Sequence, residues 1–578
     1  MQDLLEIPMW LLIVVFFSYS LCASAQSASA DNPVLDETRT LISEQRWQDV
    51  VSLLAPLQSR SAEMDFYYGM ALARMERWGE AESAFEAGRK LTPRDPRFSV
   101  ELAGVAFKTK RYSRAAYLMR QAIKLNPDDT YANDFLGTIY FLEGNLPATL
   151  KYWNRVNKPQ IAGIEEVSQL KVAPVLLDRA FAFSSAETLK LRDFLETDSR
   201  IRGLDIFLQY QWDLNARDDG KFDVGFRSQE RNGFGDSKLE GLILFFRGLP
   251  FSGVNPEYYN FRHEAINFVS MYRWDAQKRR ILGQFSSPFE HSAKYRYRVG
   301  ADLRDENWVI RDSFTGLAPA LATLNLRDEE LRFDIASFSS DRLRWSGGAA
   351  ISHRDFRNVE TGTLLTPELL AKGYQLKQRA EVDGTIGRVP ERRFAVDAGI
   401  SSEAARLWSH HEESFDKLQG SVGWHWFPKA EGDDYEMQQE IRSGGTFGQA
   451  PFDELFMLGL ERDNDLSMRA HIGTRDGRKG SAPLGRDYFL SNWETDKNVW
   501  GNGIVVVKLG PFFDTGEITD RNSGQTSAFG SHKWLFDIGA QAKLRVFGSG
   551  VVFSYGKDLR SGNNAFYVNM LKRERGNQ

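Results

Sequence analysis

Two hydrophobic periods divide this sequence. From about residue 235 onward, apolar and polar positions alternate. In "AINFVSMYRWDAQKRR", Ile266, Phe268, Tyr272 and Trp274 fall on one face, with Asn267 and Arg273 on the other. In "YRYRVGADLRDENW", Tyr295, Tyr297, Val299, Ala301 and Leu303 alternate with Arg296, Arg298, Asp302 and Arg304. "LRFDIASF" and "RFAVDAGI" keep the same period. A period of two is a β-strand with unlike faces. Soluble sandwiches alternate as well, but the density of arginine on the polar faces favours a wide, wet barrel interior. A cation costs little there, against about 2–4 kcal/mol on a lipid-facing surface near the midplane. Strands in lipid must close on themselves, because an open edge leaves backbone groups unpaired.

The N-terminal part carries the helical period. "LTPRDP" at 91–96 returns as "LNPDDT" at 125–130, so Pro93 and Pro127 stand 34 positions apart. The same shift maps Leu91 on Leu125, Trp78 on Tyr112, Ala81 on Ala115 and Ala103 on Gly137. The copies cover 65–96, 97–129 and 130–159, with a degenerate one around Trp47. A small residue where helices touch, an aromatic that fills the gap, and a proline that ends the second helix resemble the tetratricopeptide repeat. Such arrays offer a concave surface to a protein or peptide.

Between these regions the pattern is mixed. "VLLDRAFAF" (175–183) predicts a strand. The next segment predicts a helix from an N-cap at Ser185 to Gly203. Two alternating strands follow, with Leu208, Tyr210, Trp212 and Leu214 on one face of the first and Phe222, Val224 and Phe226 on one face of the second. Asp219-Gly220 forms the hairpin turn. "DLNARDDG" imitates the start of a calcium loop, but its twelfth position falls on Val224 and its glycine is misplaced, so the hairpin is preferred.

Composition sharpens the membrane reading. The 578 residues carry a net charge of -5 and give no reason to expect nucleic acid. Aromatics make up 13 % of the chain, yet mean hydropathy is -0.42, which excludes a bundle of membrane helices. A β-barrel reconciles the two. The apolar run Met9 to Cys22 is short for a bilayer span. Ala23-Ser24-Ala25 after it predicts a signal peptide over 1–25, despite Asp3 and Glu6 in place of basic residues; an uncleaved anchor is the alternative. Cys22, the only cysteine, leaves with the signal, so disulfides and cysteine metal sites are excluded.

Recognisable motifs lie near the end. Phe512-Phe513-Asp514-Thr515-Gly516 matches an F-x-D-x-G strand motif, 537–559 reads as a hairpin, and "PFDELFMLGLERDNDLSMRAH" leads into a long loop. These resemble the outer-membrane superfamily that includes BamA, TamA and FhaC. In the position of its V-R-G-F/Y loop tetrad stand Met468-Arg469-Ala470-His471, which keep the arginine but lose the glycine and the aromatic. The β-α-β-β order of the mixed segment resembles a POTRA domain. The resemblance covers about 175–571 and implies a barrel of about sixteen strands that inserts or moves proteins at the outer membrane. It further implies that Arg469 folds into the lumen to meet Asp514, with Gly516 leaving room for the loop and Phe512 acting as a platform. The other reading is that Asp514 faces lumen water. The chain departs from the family in its charged tail beyond Leu571, which leaves 566–570 as an internal assembly signal.

The expected organisation is therefore a signal at 1–25, an all-α repeat array at 31–160, an α+β POTRA-like domain at 165–232 and an antiparallel transmembrane β-barrel at 235–571. The repeat-packing residues are Trp78, Ala81, Pro93, Tyr112, Ala115, Pro127 and Gly137. Enzyme signatures are lacking, with no H-E-x-x-H, Walker loop or serine elbow. No cofactor or metal is expected. His410-His411-Glu412-Glu413 reads as a loop or turn, and Gly473, Gly477, Gly480 and Gly485 as a glycine-rich barrel loop. The expected partners are a periplasmic protein or peptide on the repeats, a client outer-membrane or secreted protein, and outer-membrane lipid. An export pore for a polysaccharide or solute is the rival function, and a structural anchor is a third.

Overall fold

The structure is a computed structural model. It describes residues 33–166, 168–235, 238–246, 248–249, 252–311, 320–361, 367–408, 412–428, 434–501, 505–520, 531, 533–546 and 549–570. The signal segment with Cys22, His410, His411 and the tail from Leu571 lie outside these residues. The chain forms two compact units, divided between Ala132 and Asn133.

In the first unit, helices pair as the 34-residue period requires. They are α1 (Pro33–Ser43), α2 (Trp47–Leu54), α3 (Ala62–Arg74), α4 (Trp78–Leu91), α5 (Pro96–Lys108) and α6 (Tyr112–Leu125). α7 (Thr130–Leu142) and α8 (Leu146–Trp153) continue the pattern into the second unit. Ala81 and Ala115 are fully buried where helices meet. The aromatic partner fills each gap: a Cβ added at Gly69 would lie 2.6 Å from the Phe85 ring. In the second unit one added at Gly137 would lie 2.2 Å from Trp153. Pro93 and Pro127 stand just past the ends of α4 and α6, where neither removes a helical hydrogen bond. Trp78 opens α4 and is half-buried, whereas Tyr112, which opens α6, is exposed.

A small mixed module follows: β1 (Ile161–Glu166), α9 (Pro174–Ala180), α10 (Leu191–Leu204), β2 (Phe207–Ala216) and β3 (Phe222–Glu230). Its sheet has the order β1-β3-β2, with β1 parallel and β2 antiparallel to β3. The two predicted strands form, with Trp212 opposite Phe226 and Leu214 opposite Val224. Two expectations are corrected. The strand predicted at 175–183 is helix α9, because Pro174 takes its first turn and Leu176, Leu177 and Ala180 bury one helical face. The helix expected from Ser185 starts at Leu191, and its N-cap, Lys190, makes no side-chain cap. The order is thus β-α-α-β-β, with its first strand upstream of the segment read as a strand.

From Gly253 to Met570 a single mostly antiparallel sheet is arranged as a barrel. Leaving out the short loop strands Thr474–Arg475 and Arg478–Lys479, and counting Gly253–Val254 and Glu257–Phe261 together, since both pair with Ile266–Trp274, fifteen strand positions stand among the described residues, against the roughly sixteen expected. Lys238–Phe246, just ahead of them, is helix α11. Ladder pairs run without a break from Glu257–Phe261 to Asn564–Met570.

Burial in this sheet inverts that of a soluble protein. Phe268, Tyr272 and Trp274 are 44, 44 and 52 % exposed, while Asn267 and Arg273 between them are 0 and 7 % exposed. Tyr295, Val299 and Leu303 face outward, and Arg296, Asp302 and Glu306 are buried. The apolar stripes therefore lie outside and the charges inside. No helix of the described residues is long and apolar enough to cross a membrane.

Two contacts fix helices to the turns at one end of the sheet. Arg296, on Ser292–Arg311, donates to the carbonyls of Leu204 (2.9 Å) and Gly203 (3.4 Å) at the end of α10, and to those of Ala265 (2.9 Å) and Ser286 (3.3 Å). It also donates to Ser286 Oγ at 2.9 Å. Gly203 itself lies against Phe338; a Cβ there would meet the ring at 2.5 Å. Glu391, in the turn Pro390–Arg392, accepts from Lys151 Nζ and Tyr152 Oη of α8, both at 2.6 Å, and Asn145 Nδ2 donates to the Pro390 carbonyl at 2.9 Å.

Burial disfavours the charge on Glu391, but the bonds from Lys151 and Tyr152 outweigh it and hold the carboxyl below its ordinary pKa. A lowered folded pKa means that the contribution is complete above the ordinary carboxylate range and is lost as pH falls through the lowered value. Hydrogen exchange in α8, corrected for intrinsic rates, should be the same at pH 7 and pH 5 and should speed up only in more acidic buffer. Glu391→Gln should loosen α8 already at pH 7, by about 1.5–3 kcal/mol for bonds to a charged group. Wild-type protection at pH 7 in this variant would exclude the anchor.

Candidate functional site

The site begins with a row of acids. On strand Val505–Thr519, Phe512, Asp514 and Gly516 point inward and Phe513 outward. Asp514 pairs across the ladder with Asp537 of Leu535–Val546, and Asp537 with Asp558 of Ser549–Asp558. Like charges directly opposite each other on neighbouring strands repel. All three are buried, and Asp514 and Asp537 have no exposed surface. Such a row needs positive charge from elsewhere.

That charge arrives on the loop 449–486, which connects Tyr435–Gly448 to Asp487–Gly501 and packs against the inner wall. Phe452, Leu455, Met457, Ala482 and Leu484 of the loop form one buried cluster with wall residues Trp308, Leu324, Leu326 and Phe356. Phe456, Leu458, Leu466 and Met468 form another with Tyr488, Leu490, Ile518 and Leu535. Within the loop, Phe456–Met457 pairs with Leu484–Gly485. Gly473, Gly477, Gly480 and Gly485 belong to this inserted loop. A Cβ at Gly480 would stand 2.8 Å from the Val309 carbonyl oxygen of the wall.

Arg469 reaches Asp514 by four contacts, one of them from Nε to Oδ1 at 3.2 Å. Its Nε lies 2.9 Å from Oδ2, its Nη2 donates to Oδ1, and its own backbone N–H donates to Oδ2 at 3.0 Å. Nη1 donates to Glu494 at 2.6 Å and to Gln541 at 2.9 Å. The guanidinium lies over Phe512 with 3.9 Å to the ring centroid, a cation–π contact. Asn492 Nδ2 completes Asp514 at 2.8 Å. Gly516 leaves room as its position suggested: a Cβ there would meet the Phe489 carbonyl at 2.8 Å and the loop's Leu458 at 3.4 Å. Arg469, Phe512, Asp514 and Gly516 thus stand together.

Several participants lay beyond sequence reasoning. A Cβ on Gly556 would fall 2.6 Å from the Arg469 carbonyl oxygen, so this glycine is the seat of the loop backbone. Ala470 N–H donates to Asp537 Oδ2 at 2.7 Å, and His471 Nδ1 lies 3.1 Å from the same oxygen. The loop's acids are held by wall cations in turn. Glu461 takes Lys278 at 2.8 Å, Asp463 takes Arg273 at 3.1 Å, and Glu454 takes Arg354 at 2.7 Å together with Lys377 and Lys417. The one signal for these in the sequence is the alternation that turns every such residue inward.

Comparison with known proteins adds the following. A tetratricopeptide repeat family model matches residues 69–148. No curated protein matches the chain. Among solved structures, BamA from Haemophilus ducreyi lacking POTRA domains 1–3 is similar at 11 % identity, over 71 % of this chain and 83 % of that one, with a TM-score of 0.40. CdiB from Escherichia coli is similar at 12 % identity, over 71 % and 74 %, with a TM-score of 0.44. MamA from Desulfovibrio magneticus RS-1, residues 41 to the end, matches 22 % of this chain and 72 % of its own length at 16 % identity, with a TM-score of 0.21.

Removing one member of a buried ion pair strands the other, at about 3–5 kcal/mol. Asp514→Ala and Arg469→Ala should each release the loop, read as faster protease cleavage within 449–486 of the folded, detergent-held protein. Asp514→Arg with Arg469→Asp should recover part of the protection. A double variant cleaved as fast as the worse single one would show that the pair does not hold the loop.

Proposed function

We propose that this chain is an outer-membrane β-barrel protein that assembles or translocates other proteins. In this reading the helical repeats recruit a periplasmic protein or peptide, and the β1-β3-β2 module is a POTRA-like domain that meets the client. An added client strand gains backbone hydrogen bonds at a free sheet edge, while alternate pockets select its side chains. The repeats stand in the periplasm.

The observation that carries this reading is the loop inserted among the buried inward charges. A sheet with apolar residues outside and ions inside suits hydrocarbon around it and water or a plug within it. Here the plug is part of the chain and is secured by ions of both signs. A polysaccharide exporter calls for an open lumen of one dominant sign. A cavity among the strands is instead lined by Arg298, Arg332 and Arg379 together with Asp334, Glu381 and Glu403. This mixed lining and the seated loop support protein handling over the pore reading. The superfamily resemblance of the Asp514 strand and the Arg469 loop points the same way.

The purified chain should require detergent and should migrate faster in unheated than in heated gels. Photo-crosslinkers along β1 and β2, the two edges of the sheet, should capture an extended client segment in cells, and proline substitutions along the capturing edge should reduce capture while the fast-migrating form persists. A chain that stays soluble without detergent would refute the membrane reading. Capture unchanged across both edges would refute the client reading.

A further inference from the structure

Arg469 serves only one end of the aspartate row. Asp537 and Asp558, opposite each other on adjacent strands, form no ion pair with a lysine or arginine among the described residues; the ring beside them is that of His471. Its Nδ1 is 3.1 Å from Asp537 Oδ2, and its Nε2 is 3.7 Å from Asp558 Oδ2, beyond hydrogen-bond reach. Asp537 Oδ2 is occupied by the Ala470 N–H, while Asp537 Oδ1 is buried with no hydrogen-bond partner. Asp558 takes the Arg560 N–H on Oδ1 at 2.9 Å and the Ser561 hydroxyl on Oδ2. Even a protonated imidazole leaves two buried carboxylates with one unit of negative charge between them.

We propose that His471, Asp537 and Asp558 form a site for a divalent transition cation of the zinc class, one that ties the loop to two strands. One nitrogen of the ring and one oxygen of each carboxylate lie within 4.8 Å of one another, all three residues being buried. A zinc ion sits about 2.0–2.2 Å from such donors, so modest side-chain rotations bring all three to one ion. Imidazole with two carboxylates suits zinc-like ions, whereas calcium and magnesium favour oxygen throughout. A dication turns the excess negative charge into a near balance. It also offers a partner to the buried Asp537 Oδ1, which has no hydrogen bond. His471 is one of the three residues at which the tetrad departs from its family form, and it is the one that brings a metal-ligand side chain. The site adjoins the Arg469–Asp514 pair but shares none of its side chains, and the proposal concerns loop closure rather than the client.

The test uses the untagged full chain in detergent, stripped with EDTA and titrated with Zn²⁺ and, separately, with Co²⁺. The expected result is one ion per chain, with the visible Co²⁺ bands of a low-coordinate site and slower protease cleavage of 449–486. His471→Phe and Asp558→Asn should each weaken binding at least tenfold. His425→Ala, on another strand, should leave it unchanged. Migration in unheated gels identifies variants that fold, and if neither does, the wild-type titration decides. Folded wild-type protein that takes up no stoichiometric ion, or folded His471→Phe and Asp558→Asn that bind as wild type does, would overturn the proposal.

Discussion

Everything inside this barrel follows from the need to neutralise charge where water is scarce. The outward faces are given over to apolar side chains, so ionic residues have nowhere to go but inward, where they crowd against the loop. Asp514, Asp537 and Asp558 make the requirement acute, because they are neighbours across two ladders. The loop meets it at one end with Arg469 and sets the His471 ring, two residues on, beside the other two acids. At its other contacts the signs reverse, with Asp453, Glu454, Glu461 and Asp463 of the loop answering arginines and lysines of the wall. Wall and loop are complementary, so neither is well neutralised without the other.

Such complementarity explains the choice of arginine at 469. Its planar head bonds Asp514, Glu494 and Gln541 while its face lies on Phe512. A lysine offers no flat face and no fork, so it cannot serve the aromatic and two acids together. Phe512 is held flat because Gly539 behind it has no side chain; a Cβ there would come within 2.5 Å of the ring. A strand residue, a glycine one strand away and a loop cation are thus one packed unit.

Much of this was legible from periodicity. The 34-residue shift of Pro93 to Pro127 sets the helix starts at Ala62, Pro96 and Thr130. The alternation around Phe268 and Arg273 sets inside and outside. The motif resemblance named both Arg469 and Asp514, which the structure holds in contact. Short segments without a clear period misled. Val175–Phe183 has the β-branched and aromatic look of a strand, but Pro174 and the 176/177/180 spacing carry it into a helix. The real edge strand Ile161–Glu166 is too brief to stand out. The partners Asp537, Asp558 and Gly556 could not be found at all, because cross-strand register is a property of the folded sheet. No single strand records it.

The bonds of Arg296 have a mechanical consequence. A flexible tether lets a module swivel freely, but here one guanidinium clamps the end of α10 to the strand ends through several short, directional contacts. Five bonds from one head tie the end of α10 to Ala265 and Ser286, so α10 cannot slide along the strand ends without losing several of them at once. The module and the strand Ser292–Arg311 therefore turn as one body.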